Sequence, residues 1–105
     1  MSEKFDISFK HEEGGQLVVY VNGEIDIYTS EEFKRKLNEA AELGNGCIIV
    51  DCGGLQYIDS TGLGIFVGVF KKLKQQNRNI KIINLKDSIK KLFSITSLDK
   101  LFDIN

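Results

Sequence analysis

The sequence predicts an α/β fold of mixed α+β character, in which an N-terminal β-hairpin precedes repeated strand–helix units. Two runs of alternating apolar residues flank a glycine turn before residue 24, and apolar runs of strand length lie at 47–52 and 80–85. Helical periodicity separates these runs, which gives the order β-β-α-β-α-β-α and a short tail. Parallel strands with right-handed crossovers follow from the strand–helix–strand units. We expect one domain over residues 1–105, with a mixed sheet flanked by helices.

Composition excludes several classes of protein. The 105 residues hold 14 Lys and Arg against 15 Asp and Glu, so a broad basic surface for nucleic acid is not expected. No signal peptide and no apolar run of membrane length is present, which predicts a cytoplasmic protein without a membrane partner. Cys47 and Cys52 lie five residues apart in one expected strand, on opposite faces, so we expect reduced thiols.

The hairpin is predicted from two strands. Phe5, Ile7 and Phe9 alternate with polar residues, which indicates a half-buried strand. Gly14–Gly15 is a turn signal, and residues 16–23 are rich in β-branched residues. The extended pattern continues through residues 24–28.

The first helix is expected to begin after Thr29. Thr29 as N-cap and Glu32 three residues later form the pattern of a capping box, and Tyr28 with Phe33 occupies the positions of a hydrophobic staple. Gly44 and Gly46 are expected to end the helix. Its apolar face consists of Phe33, Leu37, Ala40 and Ala41.

The central strand and the second helix follow. Residues 47–52 predict a strand buried on both faces, and Gly53–Gly54 is expected to end it. From Leu63 the period is helical, and Gly62, Gly64 and Gly68 each cost up to about 1 kcal/mol relative to alanine in a helix. Close packing or close approach by a partner would explain these glycines. The apolar face comprises Leu63, Ile65, Phe66, Val67, Val69, Phe70 and Leu73.

The C-terminal part is predicted in less detail. Residues 80–85 form the next strand, and Asp87 or Ser88 is expected to cap a short helix. A packed segment of undetermined type follows at 98–104. The basic cluster at the end of the second helix, formed by Lys71, Lys72, Lys74 and Arg78, is interpreted as a solvated helix end. The short helix carries Ile89, Leu92, Phe93 and Ile95 on its apolar side.

The segment 55–64 places an acid, two hydroxyls and two glycines between a strand and a helix. A nucleophilic Ser60 would need a base, but His11 is the only histidine and lies near the first turn. The GxGxxxG spacing of Gly62, Gly64 and Gly68 is one residue away from the dinucleotide motif, and a helix start suits an anion. The chain is short for enclosing a nucleotide, and no metal-ligand pattern is present. We expect no cofactor.

A phosphorylation switch at Ser60 fits these residues better. A phosphate adds about −1.5 to −2 charges, and a helix N-terminus tolerates an anion. Where a partner packs against this site, the phosphate is costly. Two like unit charges about 4 Å apart at an effective dielectric of about 20 repel each other by roughly 4 kcal/mol. Ser60 or Thr61 acting only as an N-cap remains an alternative.

Two motifs resemble a known family. Gly23–Asp26 reads Gly-Glu-Ile-Asp, and residues 57–64 read Tyr-Ile-Asp-Ser-Thr-Gly-Leu-Gly. Together they resemble the STAS domain, and within it the bacterial anti-sigma factor antagonists. Residues 92–98 extend the resemblance, which covers essentially the whole chain. Ser97 departs from it, because the family often has glycine there.

This resemblance implies a binding protein without enzymatic activity. The unphosphorylated antagonist binds an anti-sigma factor that is also a serine kinase, and the sigma factor is released. Phosphorylation at the position of Ser60 ends the binding, with Thr61 as a lesser candidate, and a serine phosphatase restores it. Asp26 matches a position implicated in partner contact, and a structural role as a turn-former is the alternative.

The expected contact surface also includes residues next to the phosphorylation site. Asp59, Gly62 and Leu63 complete it, although Leu63 could instead belong to the core. The free chain is expected to be a monomer. A STAS-type module that binds a nucleotide or another small ligand is the alternative function.

Overall fold

The computed structural model describes residues 5–44 and 46–104 and confirms the mixed α/β class. Five strands form one sheet in the order β1-β2-β3-β4-β5; β1 pairs with β2 antiparallel, and the remaining neighbours are parallel. Short 3-10 turns lie at 13–15 and 98–100. The elements are β1 Phe5–His11, β2 Leu17–Ile25, α1 Ser30–Leu43, β3 Ile48–Ile58, α2 Ser60–Lys74, β4 Ile80–Ile83, α3 Asp87–Ile95 and β5 Asp103–Ile104.

The predicted hairpin is confirmed. Its register runs from Phe5 opposite Gly23 to His11 opposite Leu17. Gly14 and Gly15 have φ values of 84° and 85°, which side chains other than glycine rarely adopt. The turn therefore requires the glycine pair.

One face of the sheet forms the core with all three helices. The rings of Phe33 and Phe66 lie 5.2 Å apart, and those of Phe66 and Phe93 lie 6.0 Å apart, in edge-to-face geometry. In β3 the buried positions alternate with half-buried ones such as Ile49 and Asp51. The expected burial of this strand on both faces is therefore wrong, because its buried residues share one core with the helices.

Gly53–Gly54 does not end the central strand, as the sequence had suggested. The strand continues to Ile58, while its pairing with β2 shifts register between Tyr20 and Asn22. A Cβ at Gly54 would collide with the Asn22 side chain. The glycine thus permits an irregularity in which the two strands remain paired.

In the last third of the chain the structure differs in detail from the prediction made from the sequence. Lys86 is the N-cap of α3 and makes no side-chain cap hydrogen bond, so neither Asp87 nor Ser88 caps the helix. Ile95 is 70% exposed and does not belong to the apolar face. The undetermined tail contains the 3-10 turn and β5, with Phe102 buried.

Both cysteines are free thiols, as expected. Cys52 is fully buried, and burial raises its pKa to about 12. Burial also raises the pKa of Cys47, which is only half-buried. In the described part of the chain no helix is both long and apolar enough to cross a bilayer.

Candidate functional site

The candidate site lies where β2 and β3 end and α1 and α2 begin. The N–H of Asp59 donates to the carbonyl of Ile25 (3.2 Å), which joins the two strand ends. Asp26 and Ser60 directly follow these two residues. The sheet thus brings the Gly-Glu-Ile-Asp and Asp-Ser-Thr-Gly motifs to the same edge, although Asp26 and Ser60 are 34 positions apart in the sequence.

Asp26 forms the turn between β2 and α1. Its Oδ1 accepts hydrogen bonds from the N–H groups of Tyr28 (2.9 Å) and Thr29 (3.2 Å). The Asp26 carbonyl accepts from the N–H of Ser30 (2.8 Å). Asp26 is therefore a turn-former, which was the structural alternative for this residue, and its carboxylate is only half-buried.

The predicted capping box of α1 is wrong. Thr29 occupies the N-cap position but makes no cap hydrogen bond, because its Oγ1 donates to the Glu24 carbonyl (2.8 Å) and accepts from the Asp26 N–H (2.9 Å). Tyr28 is 89% exposed, so it forms no hydrophobic staple with the buried Phe33. The Asp26 turn instead binds the N–H groups of Tyr28, Thr29 and Ser30, which lead into the helix.

Asp59, rather than either hydroxyl residue, caps α2. Its Oδ1 accepts from the N–H groups of Thr61 (3.0 Å) and Gly62 (3.2 Å). Its carbonyl accepts from the N–H of Leu63 (3.0 Å). The alternative of Ser60 or Thr61 as a pure N-cap is therefore wrong.

Ser60 is the first residue of α2 and is exposed. In residues 5–44 and 46–104 its hydroxyl has no hydrogen-bond partner, so no structural role holds it. Thr61 is exposed beside it. The N–H groups of Thr61 and Gly62 at the start of α2 are already bound by Asp59.

Gly62 and Leu63 lie in the interior. A Cβ on Gly62 would approach Ile58 Cγ1 to 2.6 Å and Ile25 Cγ2 to 2.7 Å, which confirms the expectation of close packing at this glycine. Leu63 is 6% exposed and packs in the core, the structural alternative for this residue. Of the six expected contact residues, Asp26, Asp59, Ser60 and Thr61 therefore present accessible side chains.

Three exposed hydrophobic side chains surround these polar residues and were missed by the sequence analysis. Ile27 is 70% exposed, Tyr28 89% and Tyr57 50%. Tyr57 pairs with Glu24 just before the strand ends. The sequence predicted that Ile27 and Tyr28 continue the strand, whereas the turn at Asp26 exposes them; Tyr57 is exposed within β3. We call Asp26, Ile27, Tyr28, Tyr57, Asp59, Ser60 and Thr61 the switch surface.

A histidine-assisted nucleophile at Ser60 is excluded by position. His11 pairs with Leu17 at the start of β2, and Ser60 follows the strand end at Ile58. The nine residues of β2 separate the two ends by roughly 26 Å. Within the described ranges no cluster of His, Cys, Asp and Glu could hold a metal ion.

Comparison with known proteins agrees with this architecture. The family model of the STAS domain matches residues 7–105. The anti-sigma-B factor antagonist of Listeria monocytogenes is 36% identical over 99 residues, covering 93% of this chain and 86% of that protein. The antagonist of the same name from Staphylococcus aureus is 40% identical over 87 residues, covering 83% and 81%.

Solved structures share the fold. An anti-sigma factor antagonist from Mycobacterium paratuberculosis superposes with a TM-score of 0.84 at 21% identity, covering 95% of this chain and 84% of that one. The antagonist SpoIIAA in its unphosphorylated form gives 0.79 at 21% identity, covering 95% and 88%. SpoIIAA from Bacillus in its phosphorylated form gives 0.72 at 20% identity, covering 95% and 91%.

Proposed function

Because the chain belongs to the STAS domain family, among its anti-sigma factor antagonists, we propose that it is a phosphorylation-controlled binding protein. Its unphosphorylated form binds an anti-sigma factor with serine kinase activity and releases the sigma factor. The kinase then phosphorylates Ser60 and the complex dissociates. A serine phosphatase returns the chain to the binding form.

The observation that carries this proposal is the state of Ser60. Its hydroxyl is exposed, has no hydrogen-bond partner among the described residues, and stands at the rigid start of a helix that Asp59 caps. A kinase can therefore reach the hydroxyl without unfolding the helix. The cap makes no use of the Ser60 side chain, so modification leaves it intact.

The switch surface has the composition of a protein interface. Large exposed apolar side chains, two of them tyrosines, stand beside the carboxylates of Asp26 and Asp59. Tyrosine is enriched among the residues that dominate binding energy, and exposed apolar clusters mark interaction sites. This mixture supports binding of a protein rather than of a small ligand.

Phosphorylation acts by adding charge and volume at this surface. A phosphate brings about −1.5 to −2 charges to a place where the carboxylate of Asp59 already accepts hydrogen bonds from the N–H groups of Thr61 and Gly62. When a partner packs on the surface, that charge loses water without gaining these donors, and uncompensated buried charge is strongly unfavourable. A loss of only 2 kcal/mol weakens binding about thirtyfold.

Three variants test the proposal against the cognate anti-sigma factor by calorimetric titration. Ser60→Asp is expected to keep the wild-type melting temperature and to bind at least about thirtyfold more weakly. Ser60→Ala is expected to bind normally but to remain unlabelled by kinase and ATP in mass spectrometry. Thr61→Ala is the matched control and should be labelled like wild type. Normal binding by Ser60→Asp, or full labelling of Ser60→Ala, would contradict the assignment.

The remaining parts of the proposal follow from its mechanism. Residues 1–105 act as one STAS domain that is monomeric when free and that functions by binding rather than by catalysis. Control of a sigma factor places this action in the cytoplasm, where transcription takes place. No cofactor is part of the mechanism.

A further inference from the structure

A groove runs between α1 and α2 and begins at the switch surface. Its volume is about 360 Å³. Thr61 lies in the groove and is also part of the switch surface, so the two are continuous. The groove is lined chiefly by Lys34 and Asn38 of α1 and by Thr61, Gly64, Ile65 and Gly68 of α2.

The two glycines of this groove have no internal reason to be glycines. A Cβ on Gly64 or on Gly68 would meet no atom within 4 Å, in contrast to Gly62, where it would collide with Ile25 and Ile58. Glycine is the least favourable residue in a helix interior apart from proline. Internal packing therefore accounts for Gly62 alone, and the close approach of another molecule remains the explanation for Gly64 and Gly68.

The spacing of the glycines fits a helical occupant. Gly64 and Gly68 are four residues apart, so they lie one above the other on the surface of α2. Helices pack by inserting the ridge formed by such rows into a groove of the neighbour. Without side chains at these two positions the row is a channel, in which the ridge of a second helix can rest close to the α2 backbone.

The charge of the groove indicates the charge of the molecule that would bind there. Among the described residues that line the groove, Lys34 is the only charged one, and none carries a carboxylate. A second ammonium group lies at its side, since Lys72 Nζ is 3.3 Å from Asn38 Oδ1. The groove is therefore cationic, whereas the adjoining switch surface carries the carboxylates of Asp26 and Asp59. A partner that spans both must reverse its charge along its length.

We propose that the groove between α1 and α2 binds an acidic helix of the anti-sigma factor, as a second contact beside the switch surface. This inference rests on the proposed function and deepens it, because it names a part of the interface that does not contain Ser60. The row of Gly64 and Gly68 allows the backbone of the partner's helix to approach α2. Lys34 and Lys72 pair with the carboxylates of that helix. Binding at the groove supplies affinity, and phosphorylation at Ser60 controls it.

Substitutions in the groove separate binding from folding. Gly64→Ala and Gly68→Ala are expected to raise the melting temperature by up to about 5 °C each, since alanine favours the helix and meets open space. Gly68→Leu is expected to weaken binding to the cognate anti-sigma factor at least tenfold by filling the channel. Lys34→Glu is expected to weaken it at least tenfold at low salt, and by less at high salt because ions screen the charge.

Lys91 on α3 provides matched controls, because it is exposed and does not line the groove. Lys91→Leu and Lys91→Glu should bind within about twofold of wild type in the same titration. If Gly68→Leu and Lys34→Glu also bind normally while Ser60→Asp does not, the groove proposal is wrong and the proposed function stands. If wild type does not bind the anti-sigma factor, both are wrong. If ATP alone raises the melting temperature and Lys34→Glu abolishes this rise without loss of protein binding, the groove holds a small anion instead.

Discussion

Single carboxylates at the two strand ends have structural roles, and we propose that they also contact the partner. Asp26 closes one turn and Asp59 caps one helix, each through a single Oδ1 atom that accepts two N–H groups. The sequence predicted that Asp26 and Ser60 belong to the site. It could not predict how Thr29 is used, because Thr29 has local donors and acceptors on both sides and only the folded turn decides between them.

Asp26 allows the two roles to be separated. Asp26→Asn keeps an Oδ1 acceptor for the turn but removes the charge, so stability should stay within about 0.5 kcal/mol of wild type. Binding to the anti-sigma factor should fall about tenfold, since hydrogen bonds to a charged group contribute roughly 1.5–3 kcal/mol. Asp26→Ala removes the acceptor as well and should cost about 1 kcal/mol of stability. Urea unfolding and calorimetric titration measure the two effects; normal binding by Asp26→Asn would return this residue to a purely structural role.

Ser97 has a strained backbone conformation. The only sequence feature that pointed to it is that the family this chain resembles often has glycine at this position. Its φ is 63° in the turn before the last 3-10 segment, in the left-handed region. L-residues pay roughly 1–2 kcal/mol there, and glycine pays little. A glycine at this position would avoid most of this cost, and the chain adopts the turn with a serine.

At the scale of helices and strands, periodicity predicts faces better than ends. The buried face of α1 consists of the predicted residues Phe33, Leu37, Ala40 and Ala41. The predicted end of β3 was wrong because Gly54 permits close contact with β2, which depends on a residue 32 positions earlier, Asn22. Long-range contacts of this kind leave no local signal in the sequence.

Arg78 gives another such contact, and its role was missed. The sequence placed it in a solvated helix end, but its guanidinium donates to the carbonyls of Ala41 (2.9 Å), Gly44 (2.7 Å) and Gly46 (3.1 Å). These carbonyls lie at and just beyond the C-terminal end of α1, where backbone acceptors lack helical partners. The side chain therefore fixes the connection between α1 and β3.

We expect Arg78→Ala to destabilise the chain by about 2–3 kcal/mol, since several charge-assisted hydrogen bonds are lost. Arg78→Lys should recover less than half of this loss, because an ammonium group cannot match the fork geometry of a guanidinium. Lys74→Ala, at the exposed last residue of α2, is the control and should lie within about 0.5 kcal/mol. Urea denaturation decides the matter, and equal stabilities of Arg78→Ala and Lys74→Ala would show that the contact contributes nothing.

Across residues 5–44 and 46–104 the molecule is one sheet whose buried face and three helices enclose a single core. The hairpin and the parallel pairing of β2, β3 and β4 followed from the order of elements, whereas β5 belongs to the tail whose type the sequence left undetermined. The covered face could not be inferred from the apolar run 47–52, since such a run fits burial on one side or on both. Cys52 lies on the covered face of the middle strand with no exposure to solvent.

This position couples the stability of the molecule to alkaline pH. Burial raises the pKa of Cys52 to about 12 from the ordinary thiol value of 9.0, so the folded chain keeps a proton that the unfolded chain releases. A raised folded pKa gives stability that is fully present below pH 9 and is lost as pH rises towards 12. The free energy of unfolding should therefore fall between pH 9 and pH 12 by up to about 1.4 kcal/mol per pH unit from this group.

Cys52→Ala tests this coupling. This variant should start from a lower stability, because a cavity is formed, but should lose less stability than wild type over the same pH range. Cys47→Ala, which alters a half-buried thiol, is the control and should keep most of the wild-type slope. Urea midpoints at pH 8, 9.5 and 10.5 measure the slopes, and an unchanged slope in Cys52→Ala would mean that the thiol does not couple folding to pH.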